Sequence, residues 1–281
     1  MFIHIQLLGH KMKKKKGKSK SKDGRDIVKQ VPHRSVGGVN LPHYEIPQEW
    51  ESYLERSAIY TLAMCHDVTN IQAQQKTFEY IDKQGVNRKY TPDLIFTANG
   101  ENIICEIKPL IFLLTENNRE KYTILHSAFI KEGYQFHFLT DDQLLNEPRN
   151  KNIKFIIRYK SHHLTNKVLE NFRYLLGNAK MSIKDLLPEN NTQNDLANIY
   201  AAIMQGHLCV DFDVEINLNS IIYFPSLEHE RFTYVHVRNS GRYGSILQKL
   251  VLDSGPTIER ILAIEKSKKQ QLNISNPLGF F

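Results

Sequence analysis

The chain has 281 residues, 41% of them hydrophobic and 24% charged, with a formal charge of +7 at pH 7. That balance excludes a disordered or fibrous chain, and no apolar run approaches the roughly 20 residues that a membrane-crossing helix needs. The opening MFIHIQLLGH is short and its positive charge follows it, the wrong order for a secretory signal, so a cytoplasmic protein without a membrane partner is expected.

The charge is unevenly placed. Eight lysines lie between Lys11 and Lys22, and the rest of the chain sums to about −1. A run such as KMKKKKGKSKSK grips phosphate through counterion release, which makes Lys13, Lys14, Lys15 and Lys16 candidate DNA contacts; a solvated leader is the competing reading. Cys65, Cys105 and Cys209 are odd in number, far apart and set among apolar neighbours, so they read as core thiols.

Residues 1–40 lack a hydrophobic period and read as a flexible leader, with order beginning near Leu41. From Pro47 a helix is expected, with Trp50, Leu54, Ala58, Thr61 and Cys65 along its inward stripe and Glu51 and Glu55 beside it. VTNIQAQQ and KTFEYID have strand composition. YTPDLIFTANGENIICEIKP is two apolar β-rich runs around Asn99-Gly100, a strong hairpin signal. With those two as the loop, paired positions sum to 199 and Asp93 lies opposite Glu106. Alternation puts Lys108 on the same face. Leu94, Phe96, Ile103 and Cys105 fall on one face and Ile95 and Ile104 on the other, as in strands covered on both sides.

A helix over 118–131, a strand YQFHFLT and a short helix capped near Asp141 and Asp142 continue the α/β alternation. NIKFIIRYK is read as a further strand, and SHHLTNK as the domain boundary. His162 and His163 are adjacent, face opposite ways in an extended chain, and read as interdomain polar residues instead of ligands. Helices over 165–177, 181–187 and 193–205, then the alternating HLCVDFDVEINLNSIIYF, follow the order of a winged helix. Lys184, Arg231, Arg238, Arg242 and Lys249 read as a solvated face. No glycine-rich phosphate loop occurs, which argues against nucleotide hydrolysis.

Two acids and an amine on one sheet face suit phosphodiester hydrolysis. A hard cation such as Mg2+ takes one or two protein carboxylates and keeps water and phosphate around it, and a nearby ammonium offsets charge that develops on the phosphoryl group. Asp93 and Glu106 supply the acids and Lys108 the amine; Glu55, or its neighbour Glu51, is the candidate further carboxylate. A surface ion-pair ladder is the bland alternative, but here the charges interrupt runs that are apolar on both sides.

Pro92-Asp93, followed by Glu106-Ile107-Lys108, resembles the motif of the PD-(D/E)xK nuclease superfamily. Together with the SYLER helix, Gln74-Gln75, Arg88-Lys89-Tyr90-Thr91, Pro109 and FLTDDQLLNEPRNKNI, it resembles the TnsA-type transposon endonuclease, over roughly residues 50–159. IYAAIMQGHLCVDFD is similar to that family's winged-helix C-terminal domain. The resemblance implies an α/β restriction-endonuclease-like mixed sheet flanked by helices over 41–163, and a mainly α winged-helix domain with a tail over 164–281. It further implies catalytic Glu55, Asp93, Glu106 and Lys108, and Mg2+, with Mn2+ able to substitute, on Glu55, Asp93 and Glu106. Arg88 and Lys89 are further candidate DNA contacts. The implied activity is nicking of the 5′ ends of a transposon, with DNA, a partner transposase subunit that cuts the 3′ ends and an AAA+ ATPase regulator as partners. Where some family members carry glutamine this chain has Glu106, and the family pattern does not account for the lysine-rich leader. A stand-alone restriction or repair nuclease, and a catalytically silent winged-helix DNA-binding adaptor, are the competing functions.

Overall fold

The computed structural model describes residues 36–41, 47–225, 231–252 and 263. Lys13, Lys14, Lys15, Lys16 and the rest of the lysine-rich run lie outside the described residues. The first part comprises β1 (Gly37–Val39), β2 (Gln48–Trp50), α1 (Tyr53–Met64), β3 (Val68–Ala73), β4 (Phe78–Ile81), β5 (Asn87–Tyr90), β6 (Leu94–Ala98) and β7 (Glu101–Ile107). There follow α2 (Leu110–Leu113), α3 (Glu116–Lys131), β8 (Gln135–Leu139), α4 (Asp141–Leu144) and α5 (Arg149–Ile156).

At the centre lies a four-stranded mixed sheet in the order β3-β6-β7-β8, antiparallel except for the parallel pair β7 and β8. That parallel step is bridged by α2 and α3, the crossover that a parallel pair requires. Helices cover both faces, giving the mixed α/β class expected. The hairpin of β6 and β7 turns on Asn99 (φ 50°) and Gly100 (φ 80°), a pair of left-handed residues that matches the twist of its strands. Leu94 pairs with Cys105 and Ile95 with Ile104, the expected register. One face delivers Leu94, Phe96, Ile103 and Cys105 to a large core; the other delivers Ile95 and Ile104 to a second core with Phe129, Phe136 and Phe138. All three cysteines are buried and none forms a disulfide.

Three elements differ from the sequence reading. The first helix starts at Tyr53, not Pro47, because Gln48–Trp50 pair as a strand with Gly37–Val39 and Ser52 caps the helix by accepting from the Glu55 N–H. Order therefore begins before Leu41, and Gly37 packs so tightly on Trp50 that a Cβ would sit 2.6 Å from its ring. NIKFIIRYK is helical, as α5 and a 3-10 turn, because Ile153, Ile156 and Ile157 recur at helical spacing and enter the core together.

The second part runs α6 (Asn166–Leu176), β9 (Met181–Ser182), α7 (Ile183–Leu186), α8 (Gln193–Met204), β10 (Cys209–Val210) and β11 (Ile221–Tyr223), with the three short strands forming an antiparallel sheet in the order β10-β11-β9. It shares the large core: Ile153 and Ile156 belong to the same cluster as Phe172, Ile199, Tyr200 and Ile222. Asn152 spends its whole amide on the junction, donating to the Phe212 and Val214 carbonyls at 2.8 Å each and accepting from the Ile216 N–H at 3.1 Å. Arg149 adds a two-pronged pair to Asp213 at 2.7 Å. His162 contacts Asn198 at 2.8 Å across the same junction.

The segment after 231 returns to the sheet instead of extending the second part. Tyr234, in α9 (Tyr234–Asn239), stacks edge-on to Phe96 and bonds His137 Nδ1 at 2.9 Å; Leu247, Leu250 and Val251 of α10 (Leu247–Leu252) complete the second core around α3. The division at 164 thus does not partition the packing.

Candidate active site

Asp93 is the last residue before β6 and enters the site by extending the hairpin register one step. Its Oδ2 accepts from the Ile107 N–H at 2.8 Å and from Lys108 Nζ at 2.9 Å, both on the neighbouring strand end. Lys108 Nζ lies 2.9 Å from Glu106 Oε1 as well. The three residues picked from the hairpin therefore meet, with the ammonium between the two carboxylates.

Glu106 is 2% exposed, and donors engage both its oxygens. Oε1 also accepts from the Tyr122 hydroxyl at 3.1 Å, and Oε2 accepts a very short bond from the Tyr90 hydroxyl. Tyr90 ends β5 and Tyr122 lies on the buried stripe of α3 with Leu125 and Phe129. Lys121 Nζ sits 4.6 Å above the Tyr90 ring, which keeps a second cation beside this corner. Sequence reading missed both tyrosines. Tyr90 was visible as part of the stretch leading to Pro92, but nothing local ties Tyr122 to a strand on the far side of a crossover.

Glu55 stands at the start of α1 and is also buried. Ser52 Oγ donates to its Oε1 at 3.0 Å, while its Oε2 accepts from the Glu51 N–H at 2.8 Å and from Gln74 Nε2 at 3.1 Å. Part of its role is thus the familiar one of an acid in a first helical turn. Its charge is nevertheless felt at Asp93. Burial, repulsion by Glu106 and repulsion by Glu55, opposed by Lys108 and the Ile107 N–H, push the Asp93 carboxyl up to about 7. Burial alone would lower the Lys108 pKa, yet Glu106 and Asp93 outweigh it and hold the ammonium above its ordinary range. Burial and then the Glu106 charge raise both tyrosine hydroxyls, so they remain donors.

Arg88 pairs with Asp82 at 2.8 Å and Lys89 with Glu79 at 3.5 Å, both within the β4–β5 hairpin, so the structure does not bring them into this cluster.

Residues 65–141 match the family model of the TnsA-like endonuclease N-terminal domain. That stretch is similar to a TnsA-like endonuclease domain. The matched stretch includes Gln74, Asp93, Glu106 and Lys108, and stops short of the second part; Glu55 lies ten residues before it. No curated protein matches the chain.

The donor set fits a divalent cation better than any single side chain does. Asp93 and Glu106 share one close ammonium while the charge of Glu55 also acts on Asp93, an excess of buried negative charge that a hard cation would relieve. Among the described residues, no three acid, histidine or cysteine side chains are gathered tightly enough to hold an ion by themselves. The protein donors on Glu106 number three and those on Asp93 two, both on Oδ2. A carboxylate offers about four lone-pair positions, so the spare capacity is greatest at Asp93 and smallest at Glu106 and Glu55.

Proposed function

We propose that the chain is the metal-dependent DNA endonuclease subunit of a heteromeric cut-and-paste transposase, nicking the 5′ ends of the element by phosphodiester hydrolysis. The observation that carries this is the meeting of Asp93, Glu106 and Lys108 at one strand end inside a TnsA-like endonuclease domain. Mg2+, or Mn2+ in its place, would be held chiefly by Asp93, with Glu55 behind it; when bound it supplies neutralising charge and an activated water. Lys108 keeps its proton and offsets charge that builds on the phosphoryl oxygens. Glu106, gripped by Tyr90 and Tyr122, fixes the direction of Lys108. The Lys108 side chain is 34% exposed, whereas those of Asp93 and Glu106 are 13% and 3% exposed, so the ammonium marks the side from which a phosphate reaches the acids.

The order of α6, β9, α7, α8 and the β10–β11 pair supports reading the second part as a winged helix. In that module the third helix commonly enters the DNA groove. Here α8 buries every residue from Asn198 to Ile203 and contains no lysine or arginine, so this part serves as a support for the nuclease and a docking module for the partner transposase or an AAA+ ATPase regulator.

The test is cleavage of DNA bearing the element's ends by the full chain together with its partner transposase. With Mg2+ present, the wild type cuts the 5′ ends, while Asp93→Ala leaves only the partner's 3′ cuts. Undiminished 5′ cutting by Asp93→Ala, or cutting by the wild type in excess chelator, would refute the proposal.

A further inference from the structure

Gln74 touches both Asp93 and Glu55. Its backbone N–H donates to the Asp93 carbonyl at 3.1 Å, and its side-chain nitrogen donates to Glu55 Oε2 at 3.1 Å. A carboxylate only accepts, so the amide nitrogen must face Glu55 and the amide oxygen must face away from it. That oxygen is buried and has no hydrogen-bond partner, in a residue that is 3% exposed. Buried carbonyl oxygens are ordinarily paired. The backbone at Gln74 is also left-handed, with φ 49°, a conformation that side-chain-bearing residues adopt at a cost and that clusters at working sites. A strained backbone, an acid-holding nitrogen and an orphaned oxygen therefore coincide within one residue of the site.

We propose that Gln74 is a third oxygen donor toward the divalent cation: its nitrogen holds Glu55 in place and its carbonyl oxygen faces the ion or a water bound to it. This adds an oxygen to a site in which Asp93 alone has ample spare lone pairs. Amide carbonyls are ordinary ligands for hard cations, and Mg2+ and Mn2+ accept mixed carboxylate, carbonyl and water shells. The inference rests on the metal-dependent reading above.

The experiment is calorimetric titration of the full chain with Mn2+, with thermal unfolding as a check on folding, for the wild type, Gln74→Met and Gln74→Glu. Methionine keeps the length and removes both polar atoms; glutamate removes the donor to Glu55 but keeps an oxygen where the carbonyl was. Gln74→Met is expected to weaken Mn2+ binding about tenfold or more, and Gln74→Glu to bind at least as tightly as the wild type. If Gln74 only positions Glu55, both variants lose the donor and both weaken, which would overturn the proposal. Wild-type affinity in Gln74→Met would overturn it too. Absence of Mn2+ binding by the wild type would sink this inference together with the metal-dependent reading, whereas binding that is lost in Asp93→Ala but indifferent to Gln74 would sink this inference alone.

Discussion

The end of the sheet around Asp93 and the second part around α8 are built on opposite terms. Around the sheet end, Glu55, Gln74 and Glu106 are buried together with Asp93 largely covered beside them, and Gln74 has an unpaired oxygen. Across 166–223, Asn198 is the only buried polar side chain among the described residues, and it has a partner in His162. The second part is a conventionally satisfied apolar packing, whereas the sheet end holds like charges together against burial. Such concentrated cost in a chain that is otherwise well packed is what a preorganised ionic site requires.

Substitutions should separate the two regions by sign. Asp93→Ala is expected to reduce 5′ nicking by about 10³-fold or more, given the several kcal/mol a bound cation contributes. In thermal unfolding without metal it should leave stability equal or higher, since it removes one of two mutually repelling acids. A fall in stability would mean that Asp93 is a structural ion-pair partner. Lys108→Met should cost roughly 10²- to 10³-fold in rate. Unlike Asp93→Ala it should also lower stability at neutral pH, because Asp93 and Glu106 then lack their shared cation.

In the second part the pattern reverses. Ile199 is 1% exposed in the shared core, and Ile199→Ala should destabilise by about 2–5 kcal/mol while cutting by the remaining folded protein is unchanged. A change in turnover per folded molecule would show that the helical part shapes the site directly.

A smaller effect concerns pH. The Asp93 pKa in the fold is raised from 3.8 to about 7, so the folded state favours the neutral acid. Its contribution is fully present below pH 3.8 and is lost as pH rises toward and through about 7. Metal-free wild type should therefore lose stability across that window relative to Asp93→Asn, as melting curves at a series of pH values would show. Mn2+ should restore it at the upper end by binding the ionised form. Smallest of all, Arg88→Ala breaks a surface pair with Asp82 and should leave the melting temperature nearly unchanged.

The hairpin was legible because Asn99-Gly100 dictates its turn and thereby its register, which carried Asp93, Glu106 and Lys108 to one point. Glu55 and Glu51 were both candidates on the residues alone and only the resemblance chose Glu55, since the phase of a helix against a sheet is not written in local spacing. The tyrosine grip on Glu106 was invisible because Tyr122 is joined to it only through the β7–α3–β8 crossover. Misreading α5 as a strand has a plain cause: KFIIRY is apolar and β-branched enough for either period, and the choice was made by Ile153, Ile156 and Ile157 packing against the second part. The return of Tyr234 and Val251 to the sheet likewise depends on tertiary packing that no local pattern announces.

The most direct test of the account is Mn2+ titration of the full chain and of Asp93→Ala under identical conditions. One saturable binding event in the wild type and none in Asp93→Ala is the predicted result. Equal binding by the two would contradict it, because the ion would then be held somewhere other than this strand end.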